Sequence, residues 1–354
     1  MQPRSFISRT MLLGAPVFLL FVAVNYFGDA SLLFEIGYEE KMAEIILEGE
    51  MVENFYDFDE RIFQKEVISN LDETPEVVVL GSSRGMLINT FTLDSAYTLM
   101  NNSVSGASVE DLIALYQTYR LNDHRPGRVI LSFEPWTLNR NNEQGRWKSL
   151  KGEYQSFFDP NNYEPPGIPW DKYAQLFSPS YFQASLYQLI DGNGSRDPKR
   201  AKDPYNETNT KMPDGSLVYY DEYREAAPDY VDQLIRKYME GDIYSIENFK
   251  ELDAELRLQY EQLVDTLLAE EMELIIYLEP YHPIMLKEAS ENYPIVFEAE
   301  RWLKKMAADR SLRVIGSFDH TKLDFDADDF YDAMHLKQSA VTELIQRNAP
   351  IFAP

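Results

Sequence analysis

The stretch Pro75-Glu76-Val77-Val78-Val79-Leu80-Gly81-Ser82-Ser83-Arg84 decides the fold. Four consecutive apolar residues, three of them β-branched, do not alternate between core and solvent, so Val77 to Leu80 reads as a strand buried on both faces. Gly81 closes the run and the two serines make the turn out of it. Four runs of the same kind follow, at Tyr97 to Met100, Val129 to Phe133, Leu274 to Leu278 and Arg313 to Ile315. Helical periods separate them. Ser108 to Leu121 places Val109, Leu112, Ile113 and Tyr116 on one face with Ser108 as its cap. Phe249, Leu252, Leu256, Tyr260, Leu263 and Leu267 recur at spacings of three and four, and Val296 to Ala307 and Ser339 to Ile345 complete the set. Strands alternating with helices predict an α/β fold in which a parallel sheet is covered on both faces.

Five strands suggest a flavodoxin-like three-layer α/β/α sandwich, whose ligand crevice opens at the carboxyl ends of the strands. The rhythm breaks once. About 137–245, between the third strand and the Phe249 helix, is rich in Tyr, Trp, Pro and Asn. A structureless loop of that length is implausible, so the segment is read as an insert over the strand ends. Its aromatics (Trp147, Tyr154, Phe157, Phe158, Tyr163, Trp170, Tyr173, Tyr181, Phe182) either form the insert's own small core or stack on sugar rings.

Upstream, Met11 to Phe27 is an apolar run broken by Asn25 alone, preceded by Arg4 and Arg9 with no acidic residue before it. It predicts a transmembrane anchor at 11–27, with 1–10 cytoplasmic and the bulk of the chain outside, single-pass, by the positive-inside rule. A cleavable leader is the competing reading, with small residues at Gly28 to Ala30. Residues 28–74 then read as a stalk, helical over Tyr38 to Phe58, and 75–354 as the globular domain. The 354 residues carry 33 basic and 59 acidic side chains, a net charge of −26, which disfavours nucleic acid as a partner. With no cysteine and four scattered histidines, neither a thiolate nucleophile nor a typical metal cluster is expected, and no cofactor is implied. Asn101-Asn102-Ser103, Asn193-Gly194-Ser195 and Asn206-Glu207-Thr208 match the glycosylation pattern.

Three segments can carry chemistry. Ser83 follows the first strand at a turn into a helix, where free backbone N–H groups favour an oxyanion. Asp332-Ala333-Met334-His335 lies just before the last helix, and an Asp three residues before a His can take the Nδ1 proton and leave Nε2 as a base. Gly106, in the loop after strand two, allows close backbone approach. All three sit at the same edge of the expected sheet, which predicts that Ser83 Oγ and His335 Nε2 come within hydrogen-bond reach.

In this order, Gly-x-Ser, a Gly-containing loop and Asp-x-x-His resemble the SGNH (GDSL-type) hydrolase superfamily over about residues 75–136 and 270–348. The resemblance implies Ser83 as nucleophile and oxyanion donor, with Ser82 at the family's Asp position. It further implies Gly106 as a second oxyanion donor through its N–H, Asp332 as orienting carboxylate and His335 as base. The family's third block, Gly-x-Asn-Asp after strand three, is replaced here by Ser132-Phe133-Glu134-Pro135-Trp136, without the Asn that donates to the oxyanion. Gly-Ser-Ser together with an anchor, and the turn Leu278-Glu279-Pro280-Tyr281-His282-Pro283, are similar to the membrane-tethered branch that includes teichoic-acid D-alanyl-transfer and alginate-acetylation proteins. That branch implies a membrane-bound O-acyltransferase or polysaccharide machinery as partner, and a glycan or acyl substrate. Arg84, Glu134, Trp136 and His282 are the remaining candidates for lining the substrate. Two functions follow: a serine-dependent acyltransferase or esterase acting on O-acyl groups of cell-surface or exported polysaccharide, or a catalytically inactive scaffold that keeps the fold.

Overall fold

The computed structural model describes residues 3–31, 33–34, 37–93, 97–163, 173–191, 196–241 and 243–348, with no side-chain account of 3–11 or 191. Arg4, Arg9, Trp170 and the Asn193-Gly194-Ser195 motif therefore lie outside the described residues or side chains.

Numbered in chain order, the described strands are β1 (Met51–Glu53), β2 (Val77–Leu80), β3 (Leu99–Asn101), β4 (Arg128–Ser132), β5 (Lys199–Ala201), β6 (Thr210–Lys211), β7 (Leu217–Val218), β8 (Glu273–Leu278) and β9 (Arg313–Gly316). Five of them form a parallel sheet in the order β3-β2-β4-β8-β9. The chain starts next to one edge, steps outward once and then reverses, so a crevice opens between the ends of β2 and β4. Both faces are buried. Val78, Leu80, Val129, Leu131, Leu274 and Ile276 pack under the helices Val109–Leu121, Ala254–Ala269 and Ile295–Asp309. Val77, Val79, Ile130, Ile275 and Ile315 pack on the other side against Val341 and Leu344 of the helix Gln338–Arg347. This explains the unbroken apolar runs of β2 and β4, whose residues are buried on both faces, while the edge strand β9 is partly exposed.

The expected strands are present within two residues at each end, and Ser108 caps its helix reciprocally with Asp111. One helix starts later than its periodicity suggests. Phe249 and Leu252 precede Asp253, whose carboxylate caps Ala254–Ala269.

The expected stalk is part of the folded body. After the helix Tyr38–Leu47 the chain enters β1, which pairs antiparallel with β5 and β6 of the insert, giving a second sheet in the order β5-β1-β6-β7. Met42, Ile46, Val52, Phe63 and Val67 form a core that reaches Met100 of β3. Arg61, in the helix Glu60–Ser69, is buried and bidentate on Asp111, at 2.9 and 3.0 Å, and also reaches the Ser105 carbonyl at 2.9 Å. The apolar face of an amphipathic stalk needs a partner, and here the insert and the sheet edge provide it. Strands of two or three residues are too short to leave a period in the sequence.

The N-terminal apolar run lies in a helix, Pro3–Gly28, as expected. Among the described residues, however, no helix is long and apolar enough to cross a membrane, so the spanning interpretation gains no support from the fold. The helix lies against the insert, with Phe18 stacked at 5.9 Å on Phe177 of the 3-10 turn Gln175–Phe177 and Phe21 at 4.7 Å on Phe182 of the helix Pro179–Asp191. Asn25 donates to the carbonyls of Gln175, Leu176 and Ser178.

Candidate active site

The turn after β2 is built around close approach. A Cβ on Gly81 would come 2.4 Å from the Ser132 Cβ, so only glycine lets the loops after β2 and β4 meet. Ser82 then caps a single 3-10 turn, its Oγ accepting from the Arg84 amide at 3.1 Å while donating to Glu134 at 2.8 Å. With Ser82 buried and its hydroxyl committed, the neighbouring Ser83 presents its side chain to the cavity. Asn101 supports the turn from below by donating to the Gly85 and Ile88 carbonyls, both at 2.8 Å. Asn101, Asn102 and Ser103 are buried, so that glycosylation match serves the interior of the fold.

Ser83 Oγ lies 2.9 Å from His335 Nε2, and His335 Nδ1 lies 3.0 and 2.9 Å from the two Asp332 oxygens. A carboxylate only accepts, so Nδ1 carries the proton and Nε2 is left to accept from the serine hydroxyl. The loop holds itself in place: Asp332 Oδ1 accepts the amides of Met334 (2.7 Å) and His335 (2.8 Å). The Tyr223 hydroxyl donates to Oδ2 at 2.6 Å. Burial by itself would raise the Asp332 carboxyl, but the His335 charge and hydrogen bond, then Tyr223 and the amides, outweigh it and hold the group well below the usual carboxylate range. For His335, burial would lower the imidazole, and the Asp332 charge and hydrogen bond overcome this and raise it.

These three residues open onto a cavity of about 520 Å³. Ser83, His335, Asp332 and Gly106 line it together with Trp136, Leu234, Ile235, Tyr238 and Met334, which give it an apolar wall. Trp136 is fixed by donating from Nε1 to the Ala107 carbonyl at 3.0 Å. Gly106 has φ +55°, a left-handed conformation that costs glycine little.

Of the other candidates, Trp136 alone faces the cavity with a side chain left to meet a ligand. Arg84 touches the cavity, but its guanidinium is committed: to Glu134 at 2.7 Å, the Met334 carbonyl at 2.9 Å, the Pro280 carbonyl at 2.8 Å and the Glu279 carbonyl. It also lies over the Tyr281 ring at 4.5 Å. It ties the serine turn to the loops after β4 and β8 and to the histidine loop, a positioning role in place of the expected substrate contact. Glu134 is likewise buried, spent on Ser82 and Arg84. His282 caps the helix Pro283–Asn292 by accepting the Ile284 amide at 3.2 Å, and its Nε2 faces Asp232 at 3.5 Å, away from the cavity lining. Burial lowers its imidazole.

Four residues of this site escaped the sequence. Tyr223, Arg146 and Tyr244 come from the insert, whose aromatics read equally well as its own core. Glu279 is the fourth. Its Oε1 accepts the Leu336 amide at 2.6 Å beside the histidine loop, and burial pushes it up to about 8 against the positive charges of Arg84 and His335. A carboxyl directly after a buried strand is the signal that was there to be read.

Compared with known proteins, the chain matches no family model and no curated protein sequence.

Proposed function

We propose that the chain is a serine-dependent acyltransferase or esterase of SGNH type, acting on O-acyl groups of cell-surface or exported polysaccharide from a membrane-attached position. The observation that carries this reading is the Ser83–His335–Asp332 relay, in hydrogen-bond register at the mouth of a cavity with an apolar wall. Three-layer topology with the serine at the reversal point of the strand order supports the same assignment. In the reaction, His335 Nε2 takes the Ser83 proton as Oγ attacks the acyl carbonyl, and the imidazolium returns it to the departing alcohol. An acceptor hydroxyl, or water, then attacks the acyl-serine, giving its proton to His335 and restoring Ser83. The apolar wall suits an uncharged acyl group. Glycan and membrane partner both rest on the family resemblance. Membrane attachment, with the N-terminal helix as a single-pass anchor and the N-terminus cytoplasmic, is carried by the sequence, through the apolar run Met11 to Phe27 behind Arg4 and Arg9; the helix leaves Leu12, Leu13, Val17, Leu19, Leu20 and Phe27 exposed.

The test is covalent labelling. A fluorophosphonate should modify the wild-type protein at Ser83, and hydrolysis of p-nitrophenyl acetate should vanish in Ser83→Ala and His335→Ala but persist in Ser82→Ala. The double variant should be scarcely worse than either single one, because triad members act as a unit. Wild-type protein that neither labels nor turns over, under conditions where it is folded, favours the scaffold reading. The specific observation on the scaffold's side is that Glu134, near the place of the family's oxyanion Asn, is locked onto Ser82 and Arg84.

A further inference from the structure

The acyl-transfer reading leaves the oxyanion one side-chain donor short, and the insert brings two polar groups to that place. A Cβ built on Gly106 would lie 2.4 Å from Arg146 Nη2 and 2.0 Å from the Tyr244 hydroxyl oxygen. Both atoms therefore press against the α-carbon of the residue whose N–H is the expected oxyanion donor. Arg146, Tyr244, Gly106, Ser83 and His335 all line the same cavity.

The hydrogen bonds around these two side chains leave donors unspent. Arg146 Nη2 donates to the Tyr244 hydroxyl at 3.0 Å and to Gln144 Oε1 at 3.1 Å. Gln144 Nε2 donates to the same hydroxyl at 2.8 Å and to Ser245 Oγ at 2.9 Å. A phenol oxygen that accepts from two N–H groups has both lone pairs engaged and directs its own proton elsewhere. Among the described residues, no acceptor is paired with that proton, and Arg146 forms no ion pair within 4 Å, although Glu39, Asp57, Asp59 and Glu60 line a neighbouring pocket with it. Arg146 is exposed and Tyr244 is 39% exposed while both line the cavity, so each keeps donors free to turn toward a negative charge that forms beside Gly106. The platform is firm: Trp147, the next residue, packs on Tyr154 at 5.0 Å, and Tyr244 meets Trp136 edge-on at 5.7 Å.

We propose that Arg146 and Tyr244 replace the missing third-block Asn: together with the Ser83 and Gly106 amides they stabilise the oxyanion that forms as Ser83 Oγ adds to the acyl carbonyl. The insert is then a piece of the catalytic apparatus. In the addition the carbonyl π pair moves onto oxygen, and the resulting negative charge is met by the guanidinium and the phenol proton. When the intermediate collapses, the charge leaves with the alcohol, which takes its proton from His335. Gly106 is glycine here for a second reason besides its φ: any side chain would displace both donors.

This inference rests on the acyl-transfer reading, and the experiment separates the two. Single-turnover acylation by p-nitrophenyl acetate and the affinity for methaneboronic acid, whose serine adduct is a tetrahedral anion, are measured in wild type, Ser83→Ala, Arg146→Met, Arg146→Lys and Tyr244→Phe. Losing one oxyanion donor costs about 10²–10³ in rate, so Arg146→Met should acylate at least about a hundredfold more slowly with KM nearly unchanged, Tyr244→Phe should lose less, and Arg146→Lys should recover part of the loss. Boronate affinity should fall in parallel. Acylation by both Arg146→Met and Tyr244→Phe within about threefold of wild type, while Ser83→Ala is dead, overturns this inference and spares the acyl-transfer reading. A raised KM at constant kcat also overturns it, because it assigns Arg146 to binding a charged substrate. Should Arg146→Met not fold, Arg146→Lys and Tyr244→Phe decide by the same criteria. Wild type that is neither acylated nor bound by the boronate removes both readings at once.

Discussion

The parallel sheet and the insert contribute to one site in opposite ways. From the sheet come the groups that exchange protons and bonds in the proposed reaction: Ser83 from the end of β2, and Asp332 and His335 from the loop after β9. From the insert come groups that shape charge around them: Tyr223 on Asp332, Arg146 and Tyr244 at Gly106, and Leu234 on the apolar wall. Beneath the first set lies a buried ionic tie, Arg84–Glu134, and behind the second lies a lattice of aromatic rings and exposed hydrogen bonds. The contrast teaches that reacting groups sit where backbone geometry is over-determined, whereas the groups that tune them can be delivered by a peripheral segment.

The sharpest way to break this comparison is on the sheet side. Glu134→Gln leaves the buried Arg84 guanidinium without its counter-charge, and unfolding free energy should fall by about 3–5 kcal/mol, read from denaturant melts. A loss below about 1 kcal/mol would mean that the carbonyls of Met334, Glu279 and Pro280 suffice for Arg84. Next in size, and on the insert side, is Tyr223→Phe. It removes a hydrogen bond to a charged group, a contribution of about 1.5–3 kcal/mol, so kcat should drop by about tenfold or more.

The same variant has a pH signature. His335 must be neutral to act as a base, and Asp332 raises it above its ordinary 6.5, so kcat/KM should climb through an acid limb above that value. Without the Tyr223 donor, Asp332 keeps more charge available to the imidazolium, and the limb should move to higher pH. A limb that stays put would show that Tyr223 only packs. Stability has the opposite pH preference. The depressed Asp332 contributes stability above its unfolded 3.8 and loses it as pH falls through its folded value. The raised His335 contributes below its unfolded 6.5 and loses it as pH rises through its folded value. The triad therefore supports the fold best in mild acid and is expected to work best above neutrality. The smallest effect is at Leu234, about half exposed on the cavity wall. Leu234→Ala should leave stability within about 0.5 kcal/mol and change the preference between short and longer p-nitrophenyl esters by several-fold.

Legibility followed the same divide. Val77 to Leu80 announces a strand because burial on both faces leaves no polar position, and Gly81 follows it where a Cβ would meet Ser132. Asp332 and His335 share a tight loop, so their meeting is local, and the pairing with Ser83 follows from both lying at one sheet edge. Arg84 reads from the sequence as a substrate-lining candidate because it follows Ser83 directly, whereas its guanidinium is committed to protein partners. Its burial depends on Glu134, fifty residues on, and on carbonyls nearly two hundred residues away. Met51 to Glu53 was misread because a three-residue strand has no periodicity, and its partners, Lys199 to Ala201, are some 150 residues distant. Tyr223 is one tyrosine of 23, and nothing in its neighbours marks it as the one that reaches Asp332.

The join between the N-terminal helix and the insert has a practical side. Gly28 packs so closely on Ser185 that a Cβ would lie 2.3 Å from its carbonyl oxygen. Asp29 accepts the Tyr181 hydroxyl at 2.6 Å, and Arg196 grips the Asp29 and Ala30 carbonyls at 2.6 and 2.9 Å. A version of the protein trimmed to begin beyond Ala30, the obvious choice for shedding the apolar helix, would strip partners from Tyr181, Ser185 and Arg196 and uncover the rings of Phe177 and Phe182. Preparing the protein for enzymology should therefore keep that helix.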